Sequence, residues 1–85
     1  MNPLENLKKN NITLPKAADP VGAYVAAKIS GKMLFISGQI SMTSKGELIK
    51  GKLGKDLDTN AGYEAARRCA LSIVAQVQKI CENDL

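Results

Sequence analysis

From Gly22 to Ile40 the sequence GAYVAAKISGKMLFISGQI alternates with a period of two. Val25, Ala27 and Ile29 stand against Tyr24, Ala26, Lys28 and Ser30. Beyond Gly31-Lys32, Leu34, Ile36, Gly38 and Ile40 stand against Met33, Phe35, Ser37 and Gln39. That period predicts two β-strands, and Gly31, which takes positive φ without steric cost, predicts the tight turn between them. A two-residue loop at Ser30-Gly31 or at Gly31-Lys32 pairs residues whose numbers sum to an odd value. Val25, Ala27, Ile29, Leu34, Ile36 and Ile40 then share one apolar face, while Tyr24, Ala26, Lys28, Met33, Phe35, Ser37 and Gln39 share the other. The apolar face calls for a covering helix. The mixed face reads as an interface or a pocket wall.

The period changes to 3.6 after Asp58, whose carboxylate suits a helix N-terminus. A helix is predicted over 58–81, with Gly62, Ala66, Cys69, Ala70, Ile73, Val77, Ile80 and Cys81 on its apolar stripe. Asn2-Pro3 is a helix start, Leu4 and Leu7 give a short apolar edge and Asn10-Asn11 a stop, which predicts a small helix over 2–10. Residues 12–21, with Pro15 and Pro20, read as an extended connector. Residues 41–46 read as a polar loop, 47–50 allow a third, short edge strand, and 51–56 form an irregular glycine-containing loop. Gly46 to Lys52 imitates the start of a phosphate-binding loop, but Leu53 stands where a hydroxyl must hold magnesium, so the reading there is a surface loop. The fold class expected is α+β, an antiparallel hairpin packed under one long helix with a short helix before it.

Eighty-five residues make one domain with a modest core. The net charge is +4, but the lysines are scattered and aromatics few, which speaks for a solvated surface and against a nucleic-acid partner. No apolar run is long enough to cross a bilayer and the N-terminus lacks the apolar stretch of a signal peptide, so the cytoplasm is the expected location. Cys69 and Cys81, twelve apart on one helix, are about 18 Å apart, too far for a disulfide, and read as small core residues. With no histidine in the chain, a Cys-His or Ser-His catalytic arrangement is excluded within it and no metal or cofactor is implied. Arg67 and Arg68 read as a solvated helix face.

Four stretches carry a resemblance: Pro20 to Tyr24, Ser30 to Ile40, Gly51 to Leu57, and Gly62 to Arg67. Together they resemble the Rid/YjgF family, in particular its chorismate-mutase-like, endoribonuclease L-PSP branch. The similarity runs over nearly the whole chain but matches only the N-terminal half of the family domain, so residues 1–85 read as a single, truncated domain. The resemblance implies a homotrimer with ligand clefts between subunits and hydrolysis of enamine/imine metabolites, such as 2-aminoacrylate, to 2-keto acids and ammonia. It places Tyr24 and Ser37 in the pocket, with Gly38 and Gln39 beside them.

The family's carboxylate-binding arginine and water-handling acidic residue fall in the other half, so no catalytic residue is assigned within this chain. Imine hydrolysis needs a cation on the substrate carboxylate and an activated water, and Lys28 is a poor substitute for a bidentate arginine. Three readings stay open: an imine deaminase, a non-catalytic trimeric binder of small carboxylates, and a fragment without function of its own. For Tyr24 the plain alternative is a strand aromatic at an interface; for Ser37 it is a hydroxyl satisfied by backbone.

Overall fold

A computed structural model describes residues 2–17, 25–43 and 45–82. Its elements in chain order are α1 (Pro3–Lys9), β1 (Ala27–Ser30), β2 (Met33–Ile36) and α2 (Thr59–Ile80). Both helices begin where their caps predict. The Asn2 side chain accepts the Glu5 amide hydrogen at 2.9 Å with Pro3 at the first helical position. Asp58 does the same for Ala61 at 2.8 Å. The first helix stops at Asn10, and Asn11 takes a left-handed φ of 57°, the usual way of ending a helix short of glycine.

The strands pair antiparallel with Ser30 opposite Met33 and Lys28 opposite Phe35. The loop is therefore Gly31-Lys32, one of the two that residue parity allows. Of its two residues only Gly31 has positive φ, +60°, as a type II′ turn requires. The strands are shorter than the 22–40 expected. Gly22 to Tyr24 lie outside the described residues, and the pairing closes with one further bond, from the Ser37 amide to the Ala26 carbonyl.

Burial alternates along β2 as the pattern demands, Leu34 and Ile36 half-buried and Met33 and Phe35 exposed. It does not alternate along β1: Ile29 of the expected covered face is 52 % exposed and Val25 before it 63 %, because α2 reaches only part of that face. At the end of β2 the alternation slips by one. Ser37, Gln39 and Ser41 are half-buried while Gly38 and Ile40 are exposed, so Gln39 does not continue the face of Phe35. The cause is local: Gln39 bonds back to the Ser37 carbonyl and the Met42 amide to that of Ile40, so the chain turns and a period of two no longer applies.

In place of a third strand there is a single antiparallel bridge, Met42 to Leu48. It is flanked by bonds from the Thr43 amide to Glu47 and from the Ile49 amide to Ser41. In the next loop the Lys52 carbonyl accepts from the amides of Lys55, Asp56 and Leu57, and the Asp56 carboxylate accepts the Lys52 amide. No helix starts at Lys52, which fits a surface loop rather than a phosphate cradle.

The azimuth of α2 differs from expectation. Its buried residues are Leu71, Ala75 and Gln76, whereas Ala66 and Ala70 of the expected stripe are exposed and Ile73 is 42 % exposed. Cys69, Val77, Ile80 and Cys81 are half-buried. Apolar residues encircle much of this helix, so its pattern does not single out one side. The neighbours decide: the hairpin contacts α2, and Pro15 to Ala17 share a depression with Ala75 and Gln78, which places the connector along its C-terminal half. Among the described residues no helix is long and apolar enough to cross a membrane.

Candidate functional site

The segment that leaves β2, Ser37-Gly38-Gln39, is held from two sides. The Ser37 amide donates to the Ala26 carbonyl at 3.0 Å and the Ser37 hydroxyl donates to the same oxygen at 3.1 Å, which ties the segment to the residue before β1. The hydroxyl oxygen keeps acceptor capacity for a further donor. From the other side the Gln39 amide nitrogen donates to the Ser37 carbonyl at 3.1 Å, and the Gln39 amide oxygen receives the Gln76 side chain of α2 at 3.5 Å. Between these anchors Gly38 is exposed, and a Cβ built on it meets nothing within 4 Å.

Of the four residues expected in the site, the structure brings together Ser37, Gly38 and Gln39; Tyr24 lies outside the described residues. Ser37 makes the backbone bond that its plain reading foresaw. Lys28 lies across from Phe35 on the hairpin, both exposed. This side of the ribbon is open, with Met33 61 % and Phe35 58 % exposed. Among the described residues, depressions of about 530, 450 and 230 Å³ are lined by α1 and the residues after it with Gln78, by residues between Leu53 and Tyr63, and by the connector against α2; Ser37 to Gln39 line none of these.

Two residues of consequence were missed in the sequence. Arg68, expected on a solvated face, is half-buried, and its Nε donates to the Met42 carbonyl at 3.0 Å. Arg67 does face solvent, 3.6 Å from Glu64. Gln76 is 3 % exposed and is the buried polar residue of the described chain. A signal existed: Arg68, Ser72 and Gln76 recur every four residues, a polar row on one side of the helix. The anchors at Arg68 and Gln76 are about 12 Å apart on the helix. Their partners Met42 and Gln39 are three residues apart in the chain, at most about 10 Å. Residues 39–42 therefore run along α2 in the opposite direction.

A crystal structure of a candidate endoribonuclease from Shewanella oneidensis MR-1 superposes on 99 % of this chain with a TM-score of 0.90 and 32 % identity, and the match covers 56 % of that protein. The fold is that of half a YjgF-like chain. An Agrobacterium tumefaciens protein of unknown function superposes on 95 % of the chain with a TM-score of 0.78 and 38 % identity, covering 48 % of its own length. Protein TCP17 of Trypanosoma cruzi is 42 % identical over 73 residues, 86 % of this chain and 46 % of that one. No protein-family model matches the chain. This YjgF-like chain thus spans about half the length of the relatives it matches.

Proposed function

We propose that this YjgF-like chain forms one wall of a cleft between subunits of a homotrimer, and that the cleft takes a small carboxylate or imine metabolite against Ser37, Gly38 and Gln39, with Tyr24 beside them. The observations that carry the reading are the open side of the hairpin, where Met33 and Phe35 are each more than half exposed, and, in the segment that leaves the same strand, a glycine with free space around it. Large apolar side chains exposed on one side of a two-stranded ribbon are the surface a partner subunit covers, and a glycine that nothing crowds admits close approach of a ligand.

The chain's chemical part is to bind and orient. The backbone amides of Gly38 and Gln39 can donate to a carboxylate, the Ser37 oxygen can accept from an imine N–H or a water, and Lys28 adds a positive charge to the same ribbon. Deamination of a 2-imino acid to a 2-keto acid and ammonia further needs a rigid cation and an acid or base group, which another polypeptide segment must bring. Cleavage of RNA, the activity named for the Shewanella protein, is less favoured, because this chain offers no histidine and its basic residues are dispersed.

The test is a thermal melt against rising pyruvate and 2-oxobutanoate, with pyruvate release from 2-aminoacrylate generated in situ followed in parallel. A saturable rise in Tm is expected. Faster release would add catalysis to binding, and a Tm indifferent to both acids would contradict the proposal.

A further inference from the structure

We infer that Gln76 is a positioning residue for the proposed ligand segment: through Gln39 it fixes the path of the backbone at Ser37 and Gly38. The inference rests on the functional reading above for its consequence, but not for its structural content.

Gln76 lies among Leu71 and Ala75 as the most enclosed polar side chain of the described residues. Burying an amide is unfavourable unless it is bonded, so a position that served packing alone would be better filled by leucine or methionine. The bonds form a relay. The Gln76 amide nitrogen meets the Gln39 oxygen at 3.5 Å, the Gln39 nitrogen meets the Ser37 carbonyl at 3.1 Å, and the Ser37 hydroxyl meets the Ala26 carbonyl at 3.1 Å. Each step uses a different group of the intermediate residue, so Gln39 is engaged at both ends of its amide, firmly at the nitrogen and at the long limit of an N–H···O bond at the oxygen. The relay runs from the buried side of α2 to the start of the hairpin through the residues on either side of Gly38, whose own surroundings are open. A glycine flanked by two fixed residues presents its amide in one direction, a pre-organised donor.

The test compares wild-type chain with Gln76→Leu, which keeps the volume and removes the amide, and with Gln76→Met, which keeps the unbranched stem should the leucine variant fail to fold. Nitrogen–proton correlation spectra read the Gln39 side-chain amide and the backbone amides of residues 37–39, and titration with pyruvate reads affinity. The expected result is a folded variant with shifted Gln39 side-chain amide signals, exchange at residues 37–39 at least tenfold faster, and pyruvate Kd raised at least tenfold. Unchanged signals at residues 37–39 in a folded variant overturn the inference. If wild-type chain binds no pyruvate, the functional reading fails, and the amide signals alone still decide the positioning role.

Discussion

Gly38 and Gly51 show how differently a glycine can be required. Gly51 has a φ of +145°, and a Cβ there would stand 2.8 Å from the Cβ of Asp56. Gly51→Ala is thus expected to cost about 1–3 kcal/mol in urea denaturation. Gly38 has open space around it, so Gly38→Ala should alter stability by less than about 0.5 kcal/mol yet weaken pyruvate binding, read by calorimetry, at least tenfold. Equal affinity in the two proteins would remove Gly38 from the site. Residue chemistry of this local kind was legible in the sequence where the partner lies within one turn, as with Asn2 and Glu5, Asp58 and Ala61, or the turn at Gly31. It was illegible for Arg68 and Gln76, whose partners Met42 and Gln39 are 26 and 37 residues away.

For the secondary elements, parity decided the faces of the hairpin: a tight two-residue turn forces an odd sum, and of the two registers this allows the structure takes the one that pairs Lys28 with Phe35. Parity stops governing where the ladder stops, which is why Gln39 left the face assigned to it. The helix was legible in extent but not in azimuth, since apolar residues on several sides leave the choice to the hairpin and connector. Asp58→Ala should lower stability by about 0.5–2 kcal/mol, seen as an earlier loss of ellipticity at 222 nm on urea titration. Arg68→Met keeps the apolar stem but deletes the bond to the Met42 carbonyl. Amide exchange at Thr43 and Ile49, whose hydrogens pair across the Met42–Leu48 bridge, should then accelerate, and unchanged rates would show that the bridge stands without the helix.

On the scale of the whole molecule the chain is thin and spread, 42 × 36 × 21 Å with a radius of gyration of 14.2 Å, where a compact chain of this length would have about 12 Å. The hairpin, the connector and α2 enclose Leu71, Ala75 and Gln76, but Val25 and Ile29 are more than half exposed, and so are Met33 and Phe35 on the far side of the ribbon. A short chain with so small an interior gains by covering that side with another subunit. Sedimentation equilibrium on wild-type chain and on Phe35→Glu tests this most directly. The account predicts a mass three times the 9.1 kDa of one chain for wild type, falling to one chain in the variant with its helical signal intact. A wild-type mass of a single chain at every concentration would contradict it.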